Sequence, residues 1–172
     1  MELLILGLLL VAVMVYASTR IKKTAAAAFD AETVESDDFV IQKPEGFLNV
    51  INGDPKYVFE AYSKDFGVDG AENFRQGRIT LILSTTGTID DAVAAIADSR
   101  VEIDDDIAEV IGQRHYRLID ARRHEKGVDF SVTYKIGEKN GTVYQLEAAR
   151  LAETSVEFAR KIEMLVASFE LK

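Results

Sequence analysis

The chain has 172 residues, a formal net charge of −9, two histidines and no cysteine. The missing cysteines exclude disulfide bonds and thiolate chemistry. Glu2 against Arg20, Lys22 and Lys23 leaves +2 in residues 1–23, so residues 24–172 carry −11. A domain this acidic is repelled by nucleic acid and by anionic lipid, so nucleic-acid binding is not expected.

An unbroken apolar run from Leu3 to Ala17 predicts a transmembrane anchor over residues 1–23. At about 1.5 Å per residue the run covers roughly 23 Å, so flanking residues must extend it across a hydrocarbon core of about 30 Å. The predicted anchor residues are Leu3, Leu4, Ile5, Leu6, Leu8, Leu9, Leu10, Val11, Val13, Met14, Val15 and Tyr16, the last at the place of an interfacial aromatic residue.

A basic flank follows the run, and we expect Arg20, Lys22 and Lys23 to contact lipid headgroups. Because the N-terminal side offers only Glu2 and the α-amino group, the positive-inside rule predicts an external N-terminus and a cytoplasmic domain. The alternative is export with signal cleavage after Ala17. Glu2 argues against cleavage, since a secretory signal begins with a basic region.

Residues 24–38 predict an acidic linker. The alanine tract at 25–28 and the acidic residues after it favour helix but form no persistent apolar stripe. We therefore expect a solvated spacer, followed by one folded domain over residues 39–172.

The domain is predicted to contain strands first, then a helix, a meander and a closing helix. Thr88 and Asp91 form a capping box before the first helix, and Thr154 is the predicted cap of the second. The segment Val101–Ile111 has helical apolar spacing and is left open between helix and strand. The predicted strands are Phe39–Ile41, Tyr57–Ser63, Arg78–Ser84, Arg114–Arg122, Val128–Ile136 and Thr142–Ala149, with a hairpin turn at Asn140-Gly141.

This order, with loops too short for parallel crossovers, predicts an α+β domain in which one antiparallel sheet is flanked by helices. The opening Phe39-Val40-Ile41-Gln42-Lys43-Pro44-Glu45-Gly46-Phe47 resembles the start of PsbP-like domains. The closing residues Phe158, Ile162, Leu165, Ser168 and Phe169 resemble their last helix. The resemblance spans residues 39–172.

Resemblance to the PsbP/Mog-type family implies an α/β/α sandwich and a non-catalytic protein without a cofactor. PsbP-like proteins assist photosystem assembly and water oxidation on the lumenal side, and the Mog branch binds a small GTPase. The predicted cytoplasmic placement argues against a photosystem role for this chain.

Metal and catalytic signatures are weak. His115 and His124 lie nine residues apart, whereas a zinc site needs three or four ligands, so we interpret both as surface residues. Asp104–Asp106 lacks the ligand spacing of a calcium-binding EF-hand loop and is interpreted as a solvated acidic segment. No nucleophile elbow or phosphate-binding loop is present in the sequence.

A basic cluster stands out in the acidic domain and is the candidate partner-docking site: Arg114, Arg117, Arg122, Arg123 and Lys126. On a strand, Arg114 and Arg122 point to one face and Arg117 and Arg123 to the other. We expect pairing with the domain's own acids, with docking of an acidic partner as the alternative.

Together these features predict a non-catalytic, membrane-anchored accessory or assembly subunit of a membrane protein complex, bound to the bilayer and to a protein partner. The alternative is an exported domain that binds a small ligand or metal ion.

Overall fold

The computed structural model describes residues 14–16, 20 and 26–172. The helices of the domain are α1 (Ile89–Ala97) and α2 (Val156–Ser168). The strands are β1 (Glu32–Glu35), β2 (Phe39–Lys43), β3 (Phe47–Asn49), β4 (Tyr57–Ser63), β5 (Gly77–Ser84), β6 (Glu102–Ile111), β7 (Arg114–Glu125), β8 (Val128–Lys139), β9 (Thr142–Leu151) and β10 (Glu170–Leu171).

Within this part of the chain, two antiparallel sheets form. Seven strands pair in the order β3-β4-β5-β9-β8-β7-β6, and β2 pairs with β1 on one side and β10 on the other. The β8–β9 hairpin is the predicted one: Lys139 pairs with Thr142, and Asn140 and Gly141 both have positive φ, at 53° and 75°. Two successive positive φ values are what a two-residue hairpin turn requires, which explains the Asn-Gly pair.

Each face of the large sheet carries its own apolar core. On one face, Ile162 and Leu165 of α2 pack with Ile79, Leu81 and Leu146 of the central strands. On the other face, Ile96 of α1 packs with alternate residues of β7, β8 and β9. Because both faces are covered, the predicted α+β architecture, a mostly antiparallel sheet flanked by helices, is confirmed. The expectation of one sheet is wrong, since β1, β2 and β10 form a second, three-stranded sheet.

The predicted linker over residues 24–38 is wrong in its second half. Glu32–Glu35 forms β1 and pairs antiparallel with β2, from Glu32 opposite Lys43 to Glu35 opposite Val40. Val34 packs against the core. A single apolar residue among acids gives no alternation to detect, so the strand is specified by its partner β2 and not by its own pattern.

Two further local details differ from expectation. Val101–Ile111, left open between helix and strand, contributes β6, an edge strand exposed over nearly its whole length. The cap of α2 is Ser155, not Thr154: the Ser155 side chain accepts a hydrogen bond from the Phe158 amide at 3.2 Å. Thr154 and Ser155 are both favourable N-cap residues, so residue preference alone could not decide which of them caps α2. The Thr88–Asp91 capping box of α1 is confirmed.

Part of the predicted anchor is described. Met14–Tyr16 and Arg20 are helical and exposed. The remaining residues of the predicted anchor, and Lys22 and Lys23, which are predicted to contact lipid headgroups, lie outside the described residues. No helix within the described ranges combines the length and apolar character needed to cross a membrane.

Candidate interaction site

The five basic residues predicted as a docking site do not form one patch. Arg117 binds Asp106 on the neighbouring strand, and Arg123 lies 2.9 Å from a carboxylate oxygen of Glu147. By the register of β7 and β8, these two arginines share one face of the sheet. Both are therefore engaged with acids of the same domain.

The remaining members of the set lie elsewhere. Arg122 donates to both carboxylate oxygens of Asp104, at 2.6–3.0 Å, and also contacts Glu102. Arg114 donates to the main-chain oxygen of Lys172, and Lys126 occupies an exposed turn. The bond from Arg122 holds the pKa of Asp104 below its usual value. The pairing expected within the domain is thus present for Arg117, Arg122 and Arg123.

The histidines and the acidic triplet are engaged locally. His124 Nδ1 lies 2.6 Å from a carboxylate oxygen of Asp129, and His115 is exposed. Asp104 and Asp106 bind arginines of the adjacent strand. Among the described residues, no group of three or more His, Asp and Glu side chains is placed to hold a metal ion.

A concave site is found instead where α2 meets the outer strands of the sheet. This helix–sheet groove has a volume of about 230 Å³. Its floor is formed by β6, β7 and β8, with Leu118 and Ile111 as apolar members, and its wall is formed by Val166 and Ala167 at the end of α2. A concave, largely apolar surface with a few polar groups is the usual form of a binding site.

Lys135 lies buried at the floor of the helix–sheet groove, with 1 % of its surface exposed. Its Nζ donates to the carbonyl oxygens of Val166 and Ala167, both at 3.3 Å. These carbonyls belong to the last turn of α2, where cations are favoured because the final carbonyls lack helical partners. Burial lowers the pKa of Lys135, although Glu109 and Glu170 act in the opposite direction.

Carboxylates surround the helix–sheet groove. Glu109 and Asp120 project from the strands and Glu163 from α2. Asp105 lies opposite Asp120 in the β6–β7 register and extends the same acidic rim. Within the described part of the chain, none of these four carboxylates has a basic nitrogen within 4.0 Å. The groove therefore has an apolar floor and an acidic rim.

A second buried lysine joins the domain to the segment that precedes it. Lys43, 2 % exposed, donates to the carbonyl oxygens of Ala28, Asp30 and Phe47, at 3.4, 2.6 and 2.8 Å. A carboxylate oxygen of Glu32 lies 3.9 Å away. An ammonium group has three donor hydrogens, so the three carbonyls use its full capacity.

Sequence reasoning missed both lysines and the helix–sheet groove. Lys135 falls on the polar side of an alternating strand, where Asp129, Ser131 and Thr133 precede it, and alternation alone predicts exposure. Lys43 ends a short strand beside Pro44 and looks like an ordinary surface residue. Nothing in either pattern signals which element will cover the side chain.

Solved structures of other proteins have a similar fold. Cyanobacterial PsbP (CyanoP) from Synechocystis sp. PCC 6803 superposes with a TM-score of 0.59 at 12 % identity, over 84 % of this chain and 94 % of that one. LpqN of Mycobacterium tuberculosis, involved in cell envelope biogenesis, gives 0.60 at 12 % identity, over 83 % and 91 %. The Ran-binding protein Mog1p of Saccharomyces cerevisiae gives 0.55 at 10 % identity, over 83 % and 96 %.

The chain has a PsbP/Mog-like fold. No protein-family model matches the sequence, and no curated protein sequence does either. At these identities the likeness extends to the fold alone, because one fold hosts many functions. The resemblance inferred from the opening strand and closing helix is confirmed at that level, and proteins that bind other proteins are among those sharing the PsbP/Mog-like fold.

Proposed function

We propose that this chain is a membrane-anchored, non-catalytic accessory or assembly subunit whose PsbP/Mog-like domain binds a protein partner of a membrane complex. In this proposal residues 1–23 span the bilayer, and Arg20, Lys22 and Lys23 contact the headgroups. The positive-inside rule assigns the domain to the cytoplasmic side.

The observation that carries the proposal is the attachment of residues 28–30 to the domain by Lys43. Lys23 and Ala26 are three residues apart, so covalent geometry limits their Cα separation to about 11 Å. An anchor ending at the basic flank would therefore hold the domain directly against the membrane, without a long flexible spacer. Such tethering raises the effective concentration of the domain near other membrane proteins, so modest contacts suffice for binding.

Two further observations support the proposal. Met14, Val15 and Tyr16 are 60–68 % exposed, as expected of helical residues that face lipid rather than the domain core. The Ran-binding protein Mog1p has a similar fold, so the fold is suited to binding proteins.

The test is photo-crosslinking of the full-length chain in its native membranes, followed by mild solubilisation and mass spectrometry. A photo-reactive residue replaces Ile107 beside the groove or, in a separate variant, Ala95 on the exposed side of α1. We expect a reproducible larger complex. Recovery of the chain without a partner from both variants would overturn the proposal.

Membrane orientation is tested separately with a thiol-specific label. Because the sequence contains no cysteine, an introduced cysteine is the only residue that the label can modify. Ala95→Cys introduces a single exposed thiol on α1. We expect a membrane-impermeant maleimide to label it only after the cells are permeabilised. Labelling of intact cells, or a mature N-terminus at Ser18, would instead favour the exported domain.

A further inference from the structure

We infer that the helix–sheet groove docks a cationic amphipathic helix of the partner, laid beside α2 over strands β6 and β7. The inference rests on the proposed function, since it names the surface and the chemistry through which the domain would bind. It is carried by the width of the uncovered sheet, by its apolar floor and by its charge.

The first step is the width of the uncovered sheet. The helix α2 packs on β2, β8 and β9, whereas β7 and β6 continue the sheet beyond it on the same face. Two further strands add about 10 Å, at roughly 4.8 Å per strand. A helix with its side chains is about 10–12 Å across, so one helix fits beside α2 on the part of the sheet formed by β6 and β7. At the start of β7, Tyr116 is covered: it is 2 % exposed, and its hydroxyl accepts a hydrogen bond from the Leu171 amide. The open part of the two strands, which have 10 and 12 residues, begins at Leu118 of β7 and is long enough to support several helical turns.

The second step is the apolar floor. Leu118 lines the groove and pairs with Ile107 on the edge strand, where Ile107 is 49 % exposed. Ile111 lies on the same face of β6, separated from Ile107 by Glu109, and Ala167 is exposed on α2. An exposed apolar strip bordered by polar residues is the usual mark of an interaction surface. An amphipathic helix covers such a strip with residues at i, i+3, i+4 and i+7.

The third step is charge. The rim carboxylates of Asp105, Glu109, Asp120 and Glu163 have no ion-pair partner within the described residues, unlike Asp104 and Asp106 on the same edge strand. Lys135 supplies one positive charge, but its Nζ is buried and directed at the carbonyl oxygens of α2. Arg114 and Arg122 lie on the same face of β7 as Asp120, but Arg114 binds the main-chain oxygen of Lys172 and Arg122 pairs with Asp104 and Glu102. The groove therefore keeps an excess of negative charge, which attracts a cationic partner and repels an anionic one.

A model peptide tests this chemistry directly. The full chain, with a photo-reactive residue in place of Ile107, is held in zwitterionic lipid nanodiscs. It is then titrated with an 18-residue leucine–lysine amphipathic helix. We expect saturable crosslinking to the chain. The matched chain with the photo-reactive residue in place of Ala95 experiences the same lipid and the same peptide, so we expect little product from it.

Charge substitutions give the quantitative readout. The double variant Glu109→Gln/Glu163→Gln should raise the half-saturating peptide concentration about three- to tenfold, and added salt should reduce that difference. The control Asp98→Asn/Glu153→Gln removes two exposed acids away from the groove and should leave the half-saturation unchanged. A leucine–glutamate peptide with the same apolar face should crosslink far less.

Three outcomes would overturn the inference: equal crosslinking by the lysine and glutamate peptides, equal yield from positions 107 and 95, or no effect of the rim substitutions in variants with unchanged melting temperature. Crosslinking in native membranes distinguishes failure of the groove inference from failure of the accessory-subunit proposal. A partner crosslinked only from position 95, or through a segment that is not basic, removes the groove inference and leaves the accessory-subunit proposal standing. A chain without a partner removes the accessory-subunit proposal.

Discussion

The two buried lysines of this domain occupy similar places but have different surroundings. Both are almost fully buried, and both donate to main-chain carbonyl oxygens. Lys43 has three carbonyl acceptors and a carboxylate at 3.9 Å. Lys135 has two carbonyls at 3.3 Å, the Tyr116 ring centroid at 5.0 Å and no carboxylate within 4.0 Å among the described residues. The comparison shows that burial of a cation does not by itself measure its contribution to stability. The number and geometry of its hydrogen-bond acceptors decide whether the interactions gained exceed the cost of removing the charge from water.

The largest expected effect is that of Lys43→Met. The substitution keeps the aliphatic stem and removes the donor to three carbonyls, which should lower the free energy of unfolding by about 2–3 kcal/mol. Urea unfolding of the full chain measures this loss. The control is Lys64→Met, an equal change of charge at an exposed residue whose Nζ lies 5.8 Å from the Phe29 ring.

The same variant should also loosen β1. A glutamate-specific protease should cleave at Glu32 or Glu35 several times faster in Lys43→Met than in Lys64→Met, because Lys43 holds the preceding turn to the sheet. Equal cleavage in the two variants would mean that pairing with β2 alone keeps β1 on the sheet. The hydrogen bonds of Lys43 would then make no contribution to holding this segment.

A smaller effect is expected of Lys135→Met. The loss of two long hydrogen bonds is offset by relief from burying an ammonium group that has no carboxylate within 4.0 Å among the described residues, so the free energy of unfolding should change by less than about 1 kcal/mol. Lys161→Met, a partly exposed change on α2, is the control. A loss as large as that of Lys43→Met would make the two lysines equivalent and contradict the comparison. Because the groove becomes more negative, Lys135→Met should also bind the leucine–lysine peptide more tightly.

The pH dependence of stability isolates the charge of Lys135. Burial lowers its pKa from the ordinary 10.5, so between the lowered value and 10.5 the unfolded chain binds more protons at this residue than the folded chain. Stability should therefore rise with pH in that window in the wild type relative to Lys135→Met. Glu109 and Glu170 act on the pKa of this lysine in the opposite direction to burial.

Tyr134 sets the upper limit of that measurement. Burial raises its pKa to about 12, so above pH 10 the unfolded chain loses a proton that the folded chain keeps, and stability falls with pH. Unfolding should therefore be followed between pH 7 and about 9.5. A wild-type curve parallel to that of Lys135→Met would mean that the ammonium is not penalised by burial.

The smallest effect is expected of Arg122→Gln, which provides an exposed cation for comparison. Arg122 pairs with Asp104 and Glu102 at the surface, where solvent screens the interaction, so the urea midpoint should not change measurably. A clear shift at low salt that disappears at high salt would show that the β6–β7 ion pairs form a stabilising network. The same variant in the native-membrane crosslinking experiment tests whether Arg122 contributes to docking.

Local sequence patterns predicted the parts of the fold that local chemistry specifies. Strict alternation over Val128–Ile136, the Asn140-Gly141 turn and the Thr88–Asp91 capping box are each fixed within a few residues, and each is present in the structure. The strand β1 was missed because its pairing with β2 and the packing of Val34 depend on residues outside its own segment.

The helix–sheet groove could not be predicted either, because it depends on pairing between strands that are far apart in the sequence. Strand β5 pairs with β9, about 65 residues later, and only that arrangement places α2 over the centre of the sheet and leaves β6 and β7 beyond it. The arginines of β7 were visible in the sequence, but the β6 carboxylates that pair with Arg117 and Arg122 were not assigned, since Val101–Ile111 was left open between helix and strand.

The sequence by itself determined the apolar N-terminal run, the acidic balance of the remainder, the α+β class and most strands, because these depend on composition and on short periodicities. Only the tertiary structure decided that Lys43 and Lys135 are buried and that a carboxylate-rimmed groove lies beside α2. Alternation states which side of a strand a residue occupies. Whether that side is then covered by a helix, a second sheet or solvent depends on contacts between residues far apart in the chain.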